Sequence, residues 1–239
     1  MTDLAEPKLA AQHCALASDQ RFDAQLPQKA RLRADQYWTP VSVAARAAEL
    51  FRRHRATTIL DVGCGPGKFC LAAACAAPEL QFEGVEQRVG LVHTARRLAR
   101  QLNVKNVHFS LANALEISWD RFDGFYFFNP FVENVFSPPT QFDATVELSV
   151  LRFAWDLIQV EHLLAAARVG SAIVTYHGLG GPIPSCFELV HTEAAGTDQL
   201  RVWLKRHRRS EAWCWVDSER EISKAARQDV YDALVQLAR

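Results

Sequence analysis

What the sequence lacks narrows it first. No apolar run approaches the length that a bilayer requires, the longest being Phe69 to Ala77. The N-terminus carries Asp3, Glu6 and Pro7 where a signal core would be apolar, so a cytoplasmic location with no membrane contact is expected. The six cysteines contain no Cys-x-x-Cys pair, and the eight histidines form no His-Glu-x-x-His pattern. No metal is expected, and the thiols read as small buried hydrophobes. There is no surplus of charge, with 27 basic side chains against 27 acidic ones. That argues against wholesale electrostatic capture of nucleic acid, though a local patch can still serve. The basic runs Arg52 to Arg55 and Lys205 to Arg209 read as solvated element ends. A nucleophile elbow, Gly-x-Ser-x-Gly, is absent too, as are repeats and low-complexity tracts.

What is present is organised around Thr57 to Lys68. A β-branched apolar run ends at Asp61, continues through Gly63, Gly65 and Gly67, and leads into helix-forming residues. This is a strand feeding a tight turn feeding a helix. Glycine lacks a Cβ, so such a turn can take positive φ and lie against a ligand. The arrangement serves dinucleotides or S-adenosylmethionine (SAM). A dinucleotide turn needs Gly-x-Gly-x-x-Gly, and the position of its third glycine holds Lys68.

The rest of the chain alternates. Residues 1–56 read as a proline-punctuated helical cap, with Thr39-Pro40 opening a helix over Val41 to Arg55. Strands follow at Gln81 to Glu86, Val104 to Ser110, Phe122 to Phe128 and Gly170 to His177. A helix is expected over Val89 to Leu102 and a long one over Asp143 to Arg168. Cys186 to Thr192 and Leu200 to Lys205 read as an antiparallel pair, and residues from Asp217 onward as a last helix. The expected fold is a doubly wound α/β sheet of seven strands, mostly parallel, closed by an antiparallel C-terminal pair with helices on both faces. The expected division is a cap over 1–56, a main domain over 57–206, and a helical extension over 207–239.

The Asp-x-Gly-x-Gly-x-Gly string and this layout resemble the class I SAM-dependent methyltransferases over about residues 35 to 206. The resemblance implies SAM as cofactor, held by Asp61, Gly63, Gly65 and Gly67. It makes Glu86, at the end of the second strand, the clamp on the ribose hydroxyls, with Gln87 against the adenine. Asn113 and Ala114, after the third strand, take the adenine-contacting positions, where Asn113 replaces the family's usual aspartate.

Asn129-Pro130-Phe131 falls at the end of the fourth strand, the edge where doubly wound sheets place ligands. It resembles motif IV of amine methyltransferases, with one proline fewer, and the Asn-Asn-Phe string of non-SET histone lysine methyltransferases. The resemblance implies that Asn129 contacts a target nitrogen, Pro130 contributes the loop, and Phe131 forms a wall of the slot. Tyr37, Glu133 and His177 are weaker candidates, His177 as a general base if the acceptor is oxygen. The expected activity is methyl transfer to an acceptor, favouring a nitrogen of a protein side chain or small molecule, with nucleic acid possible. The alternatives are a nicotinamide-dependent oxidoreductase and a non-catalytic methyltransferase-like binding domain.

Overall fold

The computed structural model describes residues 18–208. The expected C-terminal helix, Cys14, Cys214 and the end of the second basic run lie outside them. Seven strands form one sheet: β1 (Thr58–Val62), β2 (Gln81–Glu86), β3 (Val107–Leu111), β4 (Gly124–Phe127), β5 (Ala172–Tyr176), β6 (Phe187–Ala195) and β7 (Asp198–Lys205). Their order is β3-β2-β1-β4-β5-β7-β6. The first five strands are parallel, and β7 runs antiparallel to both β5 and β6. The chain builds β1 to β3 outward in one direction and then returns to place β4 on the other side of β1. That reversal leaves a crevice at the carboxyl ends of β1 and β4.

Seven helices accompany the sheet among the described residues. They are α1 (Asp19–Asp23), α2 (Gln28–Arg31), α3 (Ala34–Tyr37), α4 (Val41–Arg53), α5 (Lys68–Ala76), α6 (Val89–Gln101) and α7 (Val150–Ala166). No helix among these residues is long and apolar enough to cross a membrane. The strands are buried as their composition demands: β4 and β5 are inaccessible along their whole length. Cap and sheet share one core, in which Phe22, Leu26, Ala30 and Trp38 join Ile59, Phe82 and Tyr126. Cys64, Cys70 and Cys186 are buried free thiols.

Two expected helix starts differ, one in its position and one in its cap. The helix expected from Asp143 begins only at Val150, where the Ser149 side chain accepts the Arg152 N–H. Residues 143–149 are instead held as loop, Asp143 accepting from Arg88 Nε at 2.9 Å and from the Thr145 N–H at 3.1 Å. Thr39 does not cap α4 either. Its hydroxyl pairs with Tyr126 Oη at 2.9 Å, tying the cap to β4. The Val41 N–H is taken by Asp19 Oδ1 from α1 at 2.9 Å.

Candidate active site

At the end of β1 the chain turns sharply and is pinned to its neighbour. The Gly63 and Cys64 N–H groups both donate to the Val85 carbonyl at 3.0 Å. Gly65 adopts φ +55, and its N–H donates to Glu86 Oε2 at 3.2 Å. The other oxygen of Glu86 accepts the Arg88 N–H at 2.8 Å. Burial pushes the Glu86 carboxyl up, opposed by these N–H groups and the Arg88 charge. Each carboxylate oxygen keeps acceptor capacity after one backbone bond.

Glu86, Gly63, Asn129 and Pro130 line one cavity of about 310 Å³ at the carboxyl edge of the sheet. That is the size of a small-ligand site. Tyr37, Trp38, Phe128, Phe136 and Phe142 supply its aromatic walls, and Arg88 and Glu133 its charged lining. Glu133 is buried and accepts from Arg88 Nη2 at 3.1 Å, while Asp143 takes the other side of the guanidinium. The turn and the tip of β4 touch directly, since a Cβ on Gly63 would stand 3.2 Å from Pro130 Cβ.

Asn129 carries two anomalies. Its backbone is left-handed at φ +40, and its Oδ1 is buried without a hydrogen-bond partner among the described residues. An orphaned buried acceptor costs about 1–3 kcal/mol, the kind of penalty that a ligand donor removes. With Glu86 and the cavity volume, the residues present fit a nucleoside cofactor.

Other sequence candidates stand elsewhere. Asp61 is buried in a second, small cavity of about 20 Å³ and accepts from Cys70 Sγ at 3.3 Å. Burial raises its carboxyl to about 7, Cys70 opposing and the Glu86 charge adding to the rise. Gly63, Tyr37, Trp38 and Phe128 line both cavities and form the wall between them. Gly67 starts α5 with its Cα turned to Phe109 and Ala95. Gln87 is exposed and accepts from Arg152 Nη2 at 2.9 Å. Asn113 caps a short 3-10 turn by accepting the Leu115 N–H, and Ala114 packs in the core beneath it. None of Gln87, Asn113 and Ala114 lines the large cavity. Phe131, read as a wall of the slot, is buried in the second core cluster with Phe153 and Leu179, and Phe128, Phe136 and Phe142 take its place. Lys68, at the third-glycine position, is buried with Nζ 2.8 Å from both Asp19 and Asp23.

Sequence reasoning missed Arg88, Phe136, Phe142 and Thr197 as lining residues. Only Arg88 carried a signal, as the first cation after the β2 acid. The basic run Arg52 to Arg55 closes α4 just before β1, and Lys205 pairs in register near Ala172. Both therefore lie at the amino edge of the parallel strands, opposite the cavity.

The model of the "Methyltransferase domain" family matches residues 53–144. A tRNA (guanine-N(7)-)-methyltransferase of Synechococcus elongatus is 42% identical over 55 residues, 23% of this chain and 26% of that protein. A 23S rRNA (uracil(747)-C(5))-methyltransferase of Yersinia pestis is 38% identical over 69 residues, 29% of this chain and 18% of that protein. The chain thus spans about a quarter or less of the length of these curated relatives. Among solved structures, an RNA methyltransferase from Salinibacter ruber in complex with S-adenosyl-L-homocysteine aligns with a TM-score of 0.51 at 19% identity, covering 72% of this chain and 96% of that one. TrmN from Thermus thermophilus aligns at 0.51 and 21%, covering 74% and 51%. These structures share the fold, and the family match runs from the end of α4 across the glycine turn to the loop beyond Asn129. Residues 53–144 thus match a methyltransferase domain, and the chain shares the fold of class I SAM-dependent methyltransferases.

Proposed function

We propose that this chain transfers a methyl group from SAM to a nitrogen of an RNA base. One observation carries the nitrogen: Asn129 lines the cavity, and its Oδ1 is a buried acceptor with no partner among the described residues. An acceptor N–H would satisfy it, and in doing so would turn the nitrogen lone pair away from Asn129 and into the cavity. Bound SAM supplies an activated methyl on a sulfonium. The chain's own work is positioning. Glu86 offers acceptors for the ribose hydroxyls, the Gly63 turn and Pro130 close the space between, and the aromatic walls suit a flat ring. No strong base is needed to begin such a transfer.

RNA is favoured over the protein or small-molecule acceptors that the balanced charge suggests, because the matching relatives are named for tRNA and rRNA. Balanced net charge leaves room for a few local phosphate contacts. An RNA acceptor also accords with a cytoplasmic enzyme. The domain division over 1–56, 57–206 and 207–239 is retained as part of this proposal, with the cap as a wall of the acceptor site.

The test is to incubate the protein with methyl-labelled SAM and a cell extract, then digest with ribonuclease or protease. Label released by ribonuclease is expected. Label confined to protein or small molecules sinks the RNA acceptor, and binding of S-adenosylhomocysteine with no label anywhere leaves a binding domain. Asn129→Gly keeps the left-handed backbone while removing the acceptor. It should lower turnover about 100-fold with S-adenosylhomocysteine binding unchanged.

A further inference from the structure

The tips of β4 and β5 are joined. The Asn129 N–H donates to the Gly178 carbonyl at 3.0 Å, and His177, just before it, shares the left-handed backbone of Asn129 at φ +56. His177 and Thr197 both line the large cavity. The imidazole packs on the Phe128 and Tyr176 rings. Its Nδ1 stands 3.1 Å from Asp198 Oδ2, and its Nε2 stands 3.2 Å from Thr197 Oγ1. Thr197 and Asp198 come from the two-residue turn and first residue of the β6–β7 hairpin, the antiparallel pair that closes the sheet.

The directions of these bonds follow from the chemistry of the groups. The Asp198 carboxylate beside Nδ1 favours the tautomer that carries its hydrogen there, which leaves the lone pair on Nε2. The Tyr176 hydroxyl accepts the Thr197 N–H at 3.1 Å and lies 3.1 Å from Thr197 Oγ1, to which it can donate. Thr197 is then left to donate to Nε2. Among the described residues, Asp198 and Tyr176 are the titratable groups in contact with the ring.

The geometry points to His177 as the acceptor, through Thr197, of the proton that the methylated nitrogen releases, with Asp198 as its positioning residue. The inference rests on the proposed nitrogen acceptor. A nitrogen that gains the methyl carbon forms one bond as the S–C bond breaks with its electron pair staying on sulfur. The nitrogen, now positive, sheds an N–H proton to Thr197 Oγ1 as the Thr197 hydroxyl proton passes to Nε2. Asp198 stabilises the imidazolium. The ring, with 37% of its side chain exposed, then discharges to water.

His177→Asn suits a left-handed backbone and cannot take the proton. With methyl-labelled SAM and ribonuclease-sensitive acceptor RNA, it should lower kcat about 100-fold, leave KM within about twofold, and lose the acid limb of the wild-type pH–rate profile. Asp198→Asn should lower kcat and keep a displaced limb. Calorimetric affinity for S-adenosylhomocysteine should stay within about twofold in both. A His177→Asn enzyme with wild-type kcat, or with its acid limb intact, overturns the inference. If the wild type methylates no RNA, the proposed function fails separately. Nitrogen-15 NMR of the His177 ring then decides the relay: a hydrogen on Nδ1 supports it, and a hydrogen on Nε2 alone overturns it.

Discussion

The indole of Trp38 lies where a side chain on Gly65 would be. A Cβ built on that glycine falls 2.4 Å from Trp38 Cζ3 and 2.8 Å from Cε3. Trp38 is buried and fixed by its Nε1–H, which donates to the Ala30 carbonyl at 2.9 Å. The cap therefore touches the glycine turn itself, and the turn's shape and the cap's seating are one structural fact.

Gly65→Ala should thus cost more than backbone strain. A left-handed alanine is worth about 1–2 kcal/mol of destabilisation, and the Trp38 ring must also move. Thermal melts of Gly65→Ala, Trp38→Ala and the double variant should show the pair losing less stability than the sum of the singles. Strict additivity would mean that the two do not press on each other.

Asp61 gives the ligand-free protein a signature in pH. Burial raises its carboxyl from 3.8 to about 7, so the folded state favours the protonated form. Such a group contributes stability that is complete at low pH and is lost as pH rises through about 7. Each tenfold gain in proton affinity on folding is worth about 1.4 kcal/mol. Wild type should lose stability between about pH 4 and pH 8 relative to Asp61→Asn, measured by denaturant melts across that range. Parallel curves for the two proteins would rule this out. If Asp61 meets the amino group of the cofactor, affinity for S-adenosylhomocysteine should rise over the same window.

Lys68 latches the cap. Its buried Nζ meets Asp19, itself half exposed, and the more enclosed Asp23. Lys68→Met strands Asp23, whose carboxyl burial already pushes up against the pull of Lys68. A loss of roughly 2 kcal/mol is expected, less than for a fully enclosed pair because Asp19 reaches water. Limited proteolysis should cut residues 18–40 faster in the variant. Unchanged cleavage and melting would show that the apolar contacts of Phe22 and Trp38 alone seat the cap.

Where local chemistry decided the structure, the sequence could be read. The β1 turn, the acid closing β2 and Asn129 at the tip of β4 all follow from strand period and glycine placement, and the cavity gathers Gly63, Glu86 and Asn129. Where a distant partner decided it, the sequence was silent. Thr39 has the composition of an N-cap, yet Tyr126 claims its hydroxyl and Asp19 does the capping. Residues 143–149 hold helix-forming side chains, but the Arg88 guanidinium draws Asp143 into a loop. Phe131 looked like a slot wall from its motif, and core packing took it inward. The pairing of His177 with Asp198 depends on a strand reversal that brings together residues far apart in the chain.

The stretch from Asn129 to Ser149 contains only short 3-10 turns, yet it forms much of the cavity wall. Two buried polar side chains hold it in shape: Glu133 takes the Phe142 N–H, and the Asn134 amide bridges the Phe131 carbonyl and the Ser149 N–H. The same stretch is tied to its surroundings as well, with Arg88 holding Glu133 and Asp143. The positions of the stretch that carry none of these ties are the ones at which an engineer can reshape the cavity wall without disturbing the sheet.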